Sequence, residues 1–192
     1  MLYLDLFGTI GDEIDGFTDV MVAEAIDGLR EPLTVRINSP GGFAYDGIAI
    51  YNILAPHRPH VEVIGLAASA ASVVAMAGQT IHVATGCQLM IHDAWSLTMG
   101  NELDHRKQAD HLGKLSGSIA SIYAKRSGKP VAEFRKLMLA ETWLTGADAV
   151  ELGLADTHGD NRTPKAKADP AAAKRREAAF MRMRVNRLLE AN

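Results

Sequence analysis

The 192-residue sequence predicts an α/β fold of layered, repeated strand–helix units. Three observations carry that prediction. Short β-type runs alternate with stretches of helical spacing, which argues for helix layered on sheet rather than a sandwich. A composition of 47% hydrophobic and 22% charged residues suits a soluble globular chain with a sizeable core. One run, GLAASAAS (65–72), is almost wholly glycine, alanine and serine, and it leaves a strand to enter a helix where a core normally places large side chains.

The elements follow in order. LYLDLFGTI (2–10) reads as the first strand. Helical spacing over 17–30 sets Val22, Ile26 and Leu29 on one face. LTVRIN (33–38) is the next strand, closed by a proline–glycine turn in NSPGG (38–42) that presents backbone N–H groups without side-chain obstruction. A helix over 44–55 leads to VEVIGLA (61–67), and the strands TIHVA (80–84) and QLMIH (88–92) come after the small-residue run. A longer helix is expected from about 101 to 126, with Leu112, Leu115, Ile119 and Ile122 as its apolar stripe.

Charge divides the chain in two. Residues 1–160 hold 11 Lys+Arg against 20 Asp+Glu, a net of −9, whereas residues 161–192 hold 9 against 3, a net of +6. The break at THGDNRTPKAKADP (157–170) reads as a solvated linker. Asp169 and Pro170 then start a helix whose Met181, Val185, Leu188 and Leu189 share one face. The expected division is a globular body over 1–160 and a basic linker plus amphipathic helix over 161–192. Basic charge alone is a weak sign of nucleic-acid binding, so the tail is read as packing on a neighbouring subunit. The one cysteine, Cys87, permits no internal disulfide and fits a reducing compartment. The start lacks the basic region of a signal peptide, and the apolar run 63–78 is shorter than a span needs. A cytoplasmic protein without membrane contact is expected.

A strand-to-helix turn of small residues lets another backbone approach closely and leaves free N–H groups at the helix end. Ser69 stands at that junction, and Ser72, one turn on, is expected to bond back to a carbonyl. His92 ends a strand and is a plausible general base. His82 lies within a strand and reads equally well as a structural histidine, and the other five have polar or loop-like surroundings.

INSPGG (37–42), GLAASAAS (65–72), LMIHDA (89–94) and AETWLTGADAVELGLAD (140–156) resemble, in order and spacing, the signatures of the ClpP family of serine peptidases. The resemblance covers roughly residues 2–156. AIYNIL (49–54) and AETWLT (140–145) look most like the ClpP-related head-maturation (prohead) proteases of tailed phages and prophages. The implied fold is the ClpP/crotonase-like layered one, with 101–126 resembling the handle helix that interlocks two rings.

The resemblance implies Ser69 as nucleophile, His92 as base and Glu141 as the third member of a Ser-His-acid mechanism. Most relatives carry aspartate where Glu141 stands, but glutamate can orient an imidazole too. Asp148 and Asp156 are the alternatives for that role. Gly42 and Ala70 would supply the backbone N–H groups of an oxyanion hole, and Ser39, Pro40, Gly41 and Phe43 would line an extended substrate. No cofactor and no metal are called for. The expected partners are protein or peptide substrates, a homo-oligomeric ring, and a Clp-type ATPase or phage scaffold and capsid proteins. Competing readings are an ATPase-dependent housekeeping Clp subunit, a non-catalytic ring subunit, a crotonase-type acyl-CoA enzyme and a Ser-Lys dyad peptidase. The last is weakened because no lysine precedes Lys107.

Overall fold

A computed structural model describes residues 2–160. The chain opens with β1 (Leu2–Ile10), a two-residue strand β2 (Gly16–Phe17) and helix α1 (Asp19–Ile26). It continues through β3 (Leu33–Gly42), α2 (Ala44–Leu54), a single 3-10 turn (Ala55–His57), β4 (His60–Ala68) and α3 (Ala70–Ala75). The strands β5 (Thr80–Val83) and β6 (Gln88–Ile91) precede the long α4 (Glu102–Ser127). The described chain closes with α5 (Val131–Leu139), β7 (Thr142–Thr145), α6 (Gly146–Glu151) and β8 (Thr157–His158).

The sheet runs β2-β1-β3-β4-β5-β8 with every pair parallel, and β6 adds to β4 while pairing antiparallel with β7. Helices α1, α2 and α3 supply the crossovers that the parallel pairs β1–β3, β3–β4 and β4–β5 need. Val35, Ile37, Val61, Val63, Ile81 and Val83 are fully buried at the centre of the core. Strand β4 changes partner along its length. Its first half pairs with β5 up to Val63↔Val83, and its last three residues pair with β6, Leu66↔Gln88 through Ala68↔Met90. The change falls beside Gly65, where a Cβ would lie 2.3 Å from Asn38 Oδ1. Among the described residues no helix is long and apolar enough to cross a membrane.

Two expectations are corrected. The helix expected over 17–30 is shorter, since Gly16–Phe17 joins the sheet and Asp27 leaves helical geometry at ψ 131° before Gly28 at φ 66°. Val22 and Ile26 are buried on it, as their spacing requires. The segment NSPGG is not a turn. It prolongs β3 to Gly42, with register shifts between Phe7 and Thr9 and between Ile37 and Ser39 that take up the bulge. Proline is tolerated there because pairing with β4 ends at Ser39↔Ala67. The amphipathic helix expected within 161–192 lies outside the described residues.

The long helix matches its expected extent. Asn101 and Asp104 form a reciprocal capping box at its start, and Gly128 at φ 74° ends it. Leu115, Ile119, Ala120 and Tyr123 in its second half are buried, while the first half projects into solvent.

Candidate active site

The open ends of three parallel strands converge: β3 at Gly42, β4 at Ala68 and β6 at Ile91. Ligand sites in sheets of this kind form at such carboxyl ends. Ser69 directly follows β4 and His92 directly follows β6. The Ser69 N–H donates to Met90 O at 2.8 Å, so the ladder that joins the two strands also fixes the serine. The outcome is a hydrogen bond of 2.7 Å between His92 Nε2 and Ser69 Oγ, with both side chains half-buried.

Ser69 sits at φ 54°, ψ −125°, a conformation L residues rarely adopt, so its surroundings must impose it. They are built from small residues. A Cβ on Gly41 would stand 2.6 Å from Ala68 O, 2.8 Å from Ser69 Cβ and 3.0 Å from Ala70 N. A Cβ on Gly47 of α2 would stand 2.8 Å from the Ala70 Cβ. All six residues of α3 are buried. Strand β3 and helix α2 therefore close on the serine turn from two sides, and GLAASAAS is small because nothing larger fits.

The strand alternation of β3 orients its last residues. Phe43 N–H donates to Ile10 O at 3.0 Å, toward β1, so the peptide N–H of Gly42 faces the opposite edge, where β4 has ended. Pro40 and Gly42 are exposed and Gly41 is buried. Phe43 is 68% exposed at the start of α2. Ser39 does not line the cleft with its side chain: it is buried, and its Oγ accepts the Gly41 N–H at 3.1 Å.

Glu141 precedes β7. The antiparallel register Ile91↔Thr142 places it one step further on, opposite His92. The helix α5 ties both chains together there, because Met138 O accepts the N–H of Asp93 at 3.2 Å and of Glu141 at 3.1 Å. One turn back, Arg135 forms an ion pair with the Asp93 carboxylate. Glu141 has φ 47° and an exposed side chain, and among the described residues no hydrogen bond joins its carboxylate to His92.

The two alternative acids are committed elsewhere. Asp148 caps α6 by accepting from Thr145 N and Oγ1, and these bonds hold its carboxyl below the ordinary carboxylate value. Asp156 is paired with Arg126 and accepts the Ile81 N–H at 2.6 Å. The other histidines stand apart from the pair. His82 bonds Thr157 Oγ1 through Nδ1 at 2.8 Å, His60 meets Thr80, His105 meets Thr98, and His111 meets Tyr45.

Two features escaped the sequence reading. Ser72 Oγ donates back to Ser69 O at 2.6 Å as expected, but it also accepts from the Tyr123 hydroxyl of α4 at 2.7 Å. The Asp93–Arg135 pair had no local signal, since the partners are 42 residues apart.

Comparison with known proteins places the chain in a family. The model of the Clp protease family matches residues 11–162. A Clp protease proteolytic subunit of Lobularia maritima, described as ATP-dependent, is 31% identical over 165 residues, covering 81% of this chain and 84% of the relative. A chloroplastic ATP-dependent Clp protease proteolytic subunit 1 of Arabidopsis thaliana shows the same identity and coverage. The corresponding subunit of Aethionema cordifolium is 32% identical over 167 residues, again covering 81% of this chain and 84% of the relative. The chain belongs to the Clp protease family and is a serine-type endopeptidase.

Proposed function

We propose that the protein hydrolyses peptide bonds in extended, unfolded protein segments, with Ser69 as nucleophile, His92 as general base and acid, and Glu141 as the acid that orients His92. The observation that carries this reading is the 2.7 Å bond between His92 Nε2 and Ser69 Oγ. Ser69 Oγ attacks the scissile carbonyl carbon as its proton passes to Nε2, giving a tetrahedral intermediate. The oxyanion is held by the N–H groups of Ala70 and Gly42. His92 then protonates the leaving amine, and water hydrolyses the acyl-enzyme by the same steps in reverse. Glu141 reaches the Nδ1–H of His92 by a side-chain rotation from its exposed position, supported by the register that sets the two residues opposite each other.

Substrate binds as an added strand on the edge of β3 left open beyond Ser39. Pro40, Gly41 and Gly42 offer backbone there, and exposed Phe43 offers an apolar contact. Trp95, Leu97 and Met99, 72%, 93% and 96% exposed, lead into the projecting half of α4. So much apolar surface on one extended segment supports a homo-oligomeric ring in which it is covered. The names of the relatives favour a subunit fed by a Clp-type ATPase. A second reading, head maturation in a tailed phage acting on scaffold or capsid protein, rests on the wording of residues 49–54 and 140–145.

The test is degradation of an unfolded model protein by wild type and Ser69→Ala, with and without ATP and a Clp-type ATPase. Loss of cleavage in Ser69→Ala is expected, and full activity in that variant contradicts the assignment. Cleavage that requires the ATPase supports the first role, and equal cleavage without it supports the second.

A further inference from the structure

We infer that Tyr123 and Ser72 are positioning residues that aim the Ala70 N–H into the oxyanion site. The inference rests on Ser69 being the nucleophile. The Ser72 hydroxyl has one proton, and the Ser69 carbonyl, at 2.6 Å and within the same turn, receives it. Ser72 Oγ must then accept from Tyr123 at 2.7 Å. Burial pushes the Tyr123 phenol above its ordinary value, so it keeps the proton it donates. Both side chains are sealed from solvent, Ser72 at 0% and Tyr123 at 1% exposure. The Ser69 carbonyl also accepts the Ser72 N–H at 3.0 Å.

That carbonyl and the Ala70 N–H belong to one planar peptide unit and point in opposite directions. Fixing the carbonyl toward Ser72 and Tyr123 therefore fixes the N–H toward the cleft. As the first residue of α3, Ala70 has no intrahelical acceptor for its N–H. The unit needs such anchoring because Ser69 is held at φ 54°, ψ −125°, from which a free peptide would relax. The Tyr123–Ser72 chain thus acts on the reaction through an atom neither residue touches.

The test compares wild type, S72A, Y123F and the double variant on a peptide substrate, with kcat per Ser69 site titrated by fluorophosphonate, together with inhibition by a peptide boronate. Loss of an entire oxyanion donor costs about 10² to 10³ in rate, and a tilted donor costs less. S72A is expected to lower kcat about tenfold with KM within about twofold, and to weaken the boronate by the same factor as kcat/KM. Y123F should show the same pattern at about threefold, and the double variant should be no slower than S72A, because Tyr123 acts through Ser72. Unchanged kcat per titrated site, a change confined to KM, or additive losses in the double variant would overturn the inference. Should S72A fail to fold, Y123F carries the test on the same readouts. Activity retained in Ser69→Ala would instead sink the underlying assignment.

Discussion

Ser69 and Glu141 both stand at positive φ, 54° and 47°, each beside the end of a strand, yet they are held in opposite ways. Ser69 is fixed on every side. Its N–H bonds Met90, its carbonyl takes two donors from Ser72, and Gly41 presses against its Cβ. Glu141 has its N–H anchored on Met138 O, while its side chain stands in solvent. On the proposed roles, the nucleophile Ser69 is set by backbone before substrate arrives, whereas the proposed acid, Glu141, stands with its carboxylate free to turn. A site built this way tolerates little change around the serine and more around the acid, except in the carboxylate itself.

The sharpest way to break that contrast is Glu141→Gln. It should leave the fold intact and lower turnover on the order of 10² or more, by analogy with other triads. A mild effect would reduce the machinery to the Ser69–His92 pair. Next, Gly41→Ala forces a Cβ onto Ala68 O and Ser69 Cβ at a φ of 96°. A cost of about 1–3 kcal/mol in denaturant unfolding is expected, with turnover reduced tenfold to about a hundredfold through displacement of the nucleophile. Wild-type activity in that variant would show the serine side to be less rigid than its contacts imply.

Smaller effects test the acid side. Arg135→Ala removes the ion pair that flanks His92, with side chains 33% and 28% exposed, so stability should fall by less than about 1 kcal/mol. Turnover should fall about threefold through the loosened His92–Glu141 spacing, and exchanging the two charges (D93R with R135D) should recover part of it in steady-state assays. Smallest of all, Thr145→Ala deletes the cap of α6 and should cost about 1 kcal/mol with turnover unchanged. Because hydrogen bonds hold the Asp148 carboxyl below its ordinary value, its contribution is present above that ordinary value and is lost as pH falls through the lower folded one. The difference in Tm between wild type and Asp148→Asn should therefore narrow in acid.

The central strands were legible because a buried parallel sheet demands apolar, β-branched runs, and LTVRI (33–37), VEVI (61–64) and TIHV (80–83) carry β-branched residues at their buried positions. The Ser69 turn was legible because close backbone packing leaves glycine and alanine behind. The NSPGG segment was not: proline and glycine speak for a turn locally, and only the loss of the β4 partner beyond Ser39 makes an edge strand possible. The positions of Glu141, Arg135 and Tyr123 are set by register and packing between elements far apart in the chain, which local propensity does not encode. The motif resemblance named Glu141, and the β6–β7 register sets it opposite His92.

The proposed reacting atom is Ser69 Oγ, prepared by His92. Fluorophosphonate labelling followed by intact mass and peptide mapping tests it most directly, in wild type, Ser69→Ala and His92→Ala. One adduct per chain is expected, on Ser69, absent in Ser69→Ala and formed at least about a hundredfold more slowly in His92→Ala. An adduct on Ser72, or labelling of His92→Ala at the wild-type rate, would contradict it.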